Sequence, residues 1–205
     1  MQRINKQIIV LFLSILLSGC VSWLAPKVES EVVKLRAGAY TLDKSHTAVL
    51  FKIQHLELST YVGRFNSFDA SLDFDPKNPA SMNLEASIDI DSIDINDPGL
   101  EDDLMGRTWF HQKKYPQAKF TTQRVEPLAD NQFTFIGNLD WRGVVKPISL
   151  TVTFHGGAVN ILTQRYTFGF SAKGSFLRSD FGMDAYIPIV GDQINIEVFS
   201  EFQKK

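Results

Sequence analysis

Alternation of apolar and polar residues, repeated in stretch after stretch between turn signals, restricts this chain to an antiparallel β architecture. A period of two is that of a half-buried strand, in which every second side chain meets the core. Val49, Phe51, Ile53 and His55 share one face of the first long stretch. Phe68, Ala70, Leu72 and Phe74 share another, ended by Asp75-Pro76. Leu84, Ala86, Ile88 and Ile90 alternate with Glu85, Ser87, Asp89 and Asp91. Phe133, Phe135, Gly137, Leu139 and Trp141 line one side of a strand that ends at Arg142-Gly143. Ile148, Leu150, Val152 and Phe154 follow, then Tyr166, Phe168 and Phe170, and finally Ile194, Ile196, Val198 and Phe202. Many such strands with short turns imply a sandwich or a closed barrel. A barrel of about eight strands can enclose one small ligand.

One interval breaks the alternation. Asp97 reads as an N-cap, Pro98 as the first helical residue, and Glu101, Asp102 and Asp103 as helix-starting acids, giving a short helix to Met105. Arg107 to Lys113 is expected to form a second short helix, closed before Tyr115-Pro116. The helical interruption and the phenylalanine-rich inner face (16 phenylalanines in all) favour a ligand-holding barrel over a sandwich.

The first residues are of another kind. Arg3 and Lys6 precede an apolar run from Ile8 to Leu17, the pattern of an export signal and too short to cross a bilayer comfortably. Leu17-Ser18-Gly19-Cys20 resembles the lipobox of bacterial lipoproteins, in which the chain is cut before the cysteine and the thiol is lipidated. The expected organisation is a signal at 1–19, a tether at 20–38 and one domain at 39–205, with lipidated Cys20 anchoring the chain to a membrane from the periplasmic side. Val21 rather than Asp after the cysteine favours the outer membrane by resemblance to enterobacterial sorting.

Without the signal, 19 basic residues face 23 acidic ones, and nothing in their order suggests a nucleic-acid surface. Cys20 is the sole cysteine, so no internal disulfide forms and the fold must hold by packing. Chemistry-bearing patterns are missing. There is no G-x-S-x-G elbow and no glycine-rich phosphate loop, and His46, His55, His111 and His155 show no metal-binding spacing. Asp89, Asp91, Asp94 and Asp97 lack the glycine and closing glutamate of a calcium loop, so no metal is expected there. What is left is an apolar interior, which either holds a small hydrophobic molecule or simply fills a core.

Specific residues favour the first. Tyr40-x-Leu42-Asp43-x-x-His46 opens the domain, followed by Phe51-x-Ile53-x-His55, Gly63-x-Phe65 and Phe74-Asp75-Pro76. Tyr115-Pro116-x-x-x-Phe120, Gly137-Asn138-Leu139, Arg142-Gly143-Val144-x-Lys146-Pro147, Phe176-Leu177-Arg178-Ser179-Asp180-Phe181-Gly182-Met183 and Val190-Gly191-Asp192 come later. In this order the chain resembles the YceI-like family of periplasmic polyisoprenoid-binding proteins. That resemblance implies a lipocalin-like, eight-stranded antiparallel barrel with a short helical insertion. It also implies an apolar tunnel holding an isoprenoid chain, a quinone tail or a polyprenyl lipid. No secured catalytic activity or cofactor is implied, and a homodimer is common.

Under this reading Phe51, Ile53, Phe65, Phe74, Ile88, Phe120, Phe135, Leu139, Phe170 and Met183 are the expected tunnel lining. His55 is either a core or rim histidine with one backbone partner or a polar contact to the ligand. Arg178 is either in a salt bridge with Asp180 or Asp184 or a second such contact. Many relatives carry an Arg-Asp-x-His-Leu run where this chain has Leu100-Glu101-Asp102-Asp103-Leu104. Loss of the two basic groups favours a neutral head group, such as a quinone, over a pyrophosphate. The competing reading is an envelope scaffold with a filled, ligand-free core.

Overall fold

The computed structural model describes residues 26–205; Cys20, the export signal and the start of the expected tether lie outside them. Ten strands are present: β1 (Gly38–His55), β2 (Ser59–Phe65), β3 (Phe68–Phe74), β4 (Asn83–Asp89), β5 (Ile93–Asp94), β6 (Gln117–Ala129), β7 (Gln132–Trp141), β8 (Val144–Val159), β9 (Tyr166–Leu177) and β10 (Val190–Lys204). Every pairing is antiparallel. Eight of them run β1-β3-β4-β6-β7-β8-β9-β10, and β10 returns to β1, so the barrel closes. The two short strands lengthen existing staves: β2 continues β3 along the second half of β1, and β5 continues β4 along β2. Closure leaves few unpaired edges, the usual solution for an all-antiparallel protein.

The inward faces follow the sequence alternation on β7, where Phe133, Phe135, Leu139 and Trp141 are all buried, and on β8 from Ile148 to Phe154. On β1 the parity changes. Tyr40 and Leu42 face the core on even positions, Val49 and Phe51 on odd ones. Between them Asp43 pairs with Glu201 but Ala48 pairs with Phe199, so residues 44–47 bulge opposite a single residue of β10. A bulge re-aims every side chain beyond it.

One end of the barrel is filled by aromatic rings. Tyr40, Phe74, Phe154 and Phe168 stack with centroids 4.4 to 6.2 Å apart. The Tyr40 hydroxyl donates to the Arg36 carbonyl at 2.5 Å, which satisfies its polar tip, and burial raises its pKa. The segment expected as a tether takes part. Glu29 and Gly157 exchange two backbone hydrogen bonds at 2.9 Å, and Val32 and Leu35 are buried in the core. Residues 28–37 are thus a plug for this end. Their apolar positions, too few to show a period, find a partner only in the assembled barrel.

The opposite end is covered by α1 (Pro98–Leu104) and by two loops, 105–116 and 178–189. The expected cap of α1 is present: the Asp97 side chain accepts from the Leu100 N–H at 3.1 Å. The second expected helix does not form. Residues 107–114 run as successive turns, His111 sits at φ 50°, and its N–H reaches back to the Gly106 carbonyl at 2.8 Å. The chain must fold back here to bury Phe110, and a straight helix would not do that.

An apolar cavity as the candidate functional site

Between the filled end and the covered end the barrel is hollow. Two adjoining chambers, of about 120 and 90 Å³, share Val49, Ile88, Ala118, Leu139 and Ile196 as common walls. The first lies mid-barrel, among β1, β3, β4, β6, β7, β8, β9 and β10. The second lies under the cover, among Phe51, Phe65, Ile90, Phe110, Trp141, Phe176 and Ile194. No polar surface faces either chamber.

The hollow has a local cause. Around the first chamber the inward positions of neighbouring strands are held by Ala70, Ala86, Ala118 and Ala172. Ala70 pairs with Ala86, and Ala86 with Phe120, so two of these small residues stand side by side on adjacent strands. At the filled end the equivalent positions carry Tyr40, Phe74, Phe154 and Phe168. Gly137 and Gly63 shape the wall in a second way. A Cβ on Gly137 would lie 2.5 Å from the Phe120 ring, and one on Gly63 2.4 Å from the Phe51 ring, so each glycine lets an aromatic ring lie flat across the next strand.

Phe51, Phe65, Ile88, Phe120, Leu139 and Phe170 border the cavity as expected. Phe74 and Phe135 face inward but lie towards the filled end and border neither chamber. Their parity was read correctly, whereas their height in the barrel was not visible in the sequence. Ile53 and His55 lie beyond the second chamber, near the tip of β1, where the His55 ring sits 6.3 Å from that of Tyr61. Met183 belongs to the covering loop 178–189 and is buried there, outside the cavity.

Arg178 touches neither the cavity nor an acid. It is 2% exposed and donates to the carbonyls of Gly191, Met183, Ala185 and Val190 at 2.5 to 2.9 Å, with its guanidinium 5.4 Å above the Trp109 ring. Neither expected role holds: it is a clamp that ties loop 178–189 to β10. Burial lowers its pKa, opposed by Asp192 and Asp184. Arg142 does the same from the β7–β8 turn, binding the carbonyls of Phe181, Gly182 and Arg107.

Among the wall residues not expected as lining are the four alanines, Phe110, Trp141 and Phe176. Ala70 and Ala86 stand on faces the alternation gave, whereas Ala118 and Ala172 lie outside the alternating stretches. Two wall residues also carry a buried polar atom without a hydrogen-bond partner, Trp141 Nε1 and Ser200 Oγ.

The β1 bulge forms the side of the first chamber. β1 has no partner strand on its β3 side between Leu42 and Ala48, and the Lys44–Asp69 ion pair, 2.9 Å long and exposed, crosses the gap. Asp43 holds the bulge. It accepts from Ser45 Oγ at 2.6 Å and Gln203 Nε2 at 2.6 Å, and pairs with His46 Nδ1 at 3.0 Å. Partial burial pushes the Asp43 carboxyl up, but the bonds from Ser45 and His46 outweigh it and hold it at about 2. Asp43, His46 and Glu201 place their ligand atoms within 4.8 Å of one another, the one cluster among the described residues able to take a metal ion by geometry. Its carboxylate is already engaged by the bulge.

Comparison with known proteins agrees with this architecture. The YceI-like domain profile matches residues 40–202. The chain belongs to the YceI-like family. A UPF0312 protein of Yersinia enterocolitica is 36% identical over 149 residues, 72% of this chain and 77% of its own length. Among solved YceI-like structures, the Campylobacter jejuni YceI protein is 34% identical with a TM-score of 0.67, covering 81% of this chain and 98% of its own. Burkholderia cenocepacia BcnA is 25% identical with a TM-score of 0.71, covering 78% and 98%. A polyisoprenoid binding domain from Saccharophagus degradans shares the fold at 12% identity, with a TM-score of 0.58.

Proposed function

We propose that this protein binds a long-chain isoprenoid by its tail inside the barrel and serves as a carrier or store of that lipid in the cell envelope. The observation that carries the reading is the wholly apolar, two-chambered cavity within a closed barrel. Membership of the YceI-like family supports it, as does the polyisoprenoid-binding domain that shares its fold. The constellation is one of binding, with no nucleophile and base brought together on the cavity wall.

Burial supplies the driving force. Each CH₂ moved from water contributes ~0.8 kcal/mol, less the ordering of the tail. An apolar void of ~150 Å³ takes one benzene-sized molecule, so each chamber fits about one isoprene unit. A longer tail must join the two chambers and push against the covering loops. The head group is read as neutral and oxygen-bearing, a quinone. Leu100 and Asp103 stand where many relatives carry basic groups. The lipobox-like Leu17-Ser18-Gly19-Cys20 supports a periplasmic protein held by lipidated Cys20 at a membrane, with the outer membrane favoured.

A ladder of quinones with tails of increasing length tests the reading. Affinity should rise several-fold with each added isoprene unit and then level off when the cavity is full. Affinity independent of tail length would place binding outside the barrel and sink the proposal.

A further inference from the structure

The covered end of the barrel carries an exposed apolar rim. At the tip of the β1–β2 hairpin Leu58 is 85% exposed and Leu56 46%; in loop 178–189 Tyr186 is 64% exposed and Ile189 55%. Ile187 is exposed beside them. The two segments form one surface: Leu56 N–H donates to the Ile189 carbonyl at 2.8 Å, and His55 pairs with Val190. Scattered exposed apolar residues need no explanation, but a contiguous group does.

The backbone beneath the rim is strained. Leu56 and Glu57 occupy the two central positions of the hairpin turn at φ 55° and 57°, and Tyr186 sits at φ 61°. A turn of this kind is normally made by Asn-Gly, and a left-handed leucine or tyrosine is costly. Stability alone would not place large apolar side chains at these positions. Strain kept in this way points to something the side chains do outside the fold.

The rim has a charged and aromatic flank. Trp109 stacks on Tyr186 with ring centroids 6.0 Å apart. Arg107, Lys113 and Lys114 are exposed on the same loop as Trp109. Arg107 and Lys114 lie close enough, with Arg142, to act on one imidazole: burial first, then these three cations, lower the His111 pKa. Glu57, Asp180 and Asp184 are the acids within the rim segments, Asp180 being paired with Lys146 at 3.5 Å, and the acids of α1 precede the basic loop. Apolar side chains that point into solvent, a Trp–Tyr pair at their edge and cations behind them are the elements of a surface that sits in a lipid headgroup layer.

We propose that this rim, Leu56, Leu58, Tyr186, Ile187 and Ile189 with Arg107, Lys113 and Lys114 at its flank, docks on an anionic lipid bilayer. The inference rests on the isoprenoid-binding reading for its purpose. Phe110 of loop 105–116 borders the second chamber, so docking at this end would bring the bilayer to the side from which a tail could enter.

Flotation with vesicles of phosphatidylethanolamine and phosphatidylglycerol tests it, using the chain from residue 20 onward with Cys20→Ser, so that neither the apolar export signal nor the lipid anchor takes part. The protein should float with the vesicles, and Trp109 should be quenched by brominated acyl chains. Leu58→Asp with Ile189→Asp, both at exposed sites, should lower the bound fraction about tenfold or more. Failure of the unsubstituted barrel to float, or flotation untouched by the double substitution, would overturn the proposal. Pairing of the rim between two copies of the chain, seen by sedimentation velocity in place of flotation, would overturn it too. Isoprenoid content, measured by mass spectrometry on the same samples, separates the two readings. Flotation without isoprenoid leaves the rim standing and removes the cargo; isoprenoid without flotation does the reverse.

Discussion

The two ends of this barrel are built on the same alternating strands and come out differently. At the filled end, Tyr40, Phe74, Phe154 and Phe168 meet ring to ring, and Val32 and Leu35 from the N-terminal segment close what is left. Halfway along, Ala70, Ala86, Ala118 and Ala172 occupy inward positions and the wall stops short of its opposite side. Whether a closed barrel is a core or a container is therefore decided by side-chain volume at given heights, with the pattern of facing left unchanged. Stability should reside in the first region and binding capacity in the second.

The largest effect that would sharpen this contrast is at the filled end. Phe168→Ala removes a fully buried ring from the stack and should cost about 3–5 kcal/mol in denaturant unfolding. A much smaller loss would mean that this end is as loosely filled as the middle. Next in size is the clamp over the covered end. Arg178→Met keeps most of the volume but leaves four carbonyls without their donor, and should cost about 3 kcal/mol. Hydrogen exchange should show the opening confined to residues 178–191, with the filled end still protected.

Filling the hollow should separate stability from binding. Ala86→Leu puts three more carbons into the first chamber, and its stability should stay within about 1 kcal/mol because the space is there. Isoprenoid affinity should drop sharply by the same titration. Equal loss of both would show that the chamber is already tightly packed.

The smallest effect is at the bulge. The raised His46 pKa means that its pairing with Asp43 contributes fully below pH ~6.5 and is lost as pH rises through the raised value. Asp43, held at about 2, contributes above pH ~3.9 and loses its share as pH falls towards 2. A shallow stability maximum between those limits should follow. His46→Gln should flatten its alkaline side, measured by thermal unfolding across pH.

Much of the architecture was legible because strand facing has a fixed period of two. Seven of the eight staves, the Asp97 cap with Pro98 behind it, and the inward faces of β7 and β8 could be read directly; β6 (Gln117–Ala129) was not among the alternating stretches, and the count of eight came from the family resemblance. Three things could not. The parity reversal on β1 comes from residues 44–47, whose bulge is specified by Asp43 bonding to Ser45, His46 and distant Gln203. Arg178 offers no sequence clue to its task, because its acceptors are backbone carbonyls that carry no residue identity. Phe74 and Phe135 were assigned to the tunnel on correct parity, yet their height puts them towards the filled end. Emptiness itself was the least legible property, since four alanines on strand faces look like ordinary core residues until the strands are placed around a common axis.

Mass spectrometry of an organic extract from the purified chain tests the central claim most directly. The account predicts one isoprenoid species, close to one per chain, and its loss in Ala86→Leu. A blank extract that stays blank after incubation with membrane lipids would contradict it, and would make the barrel a filled scaffold.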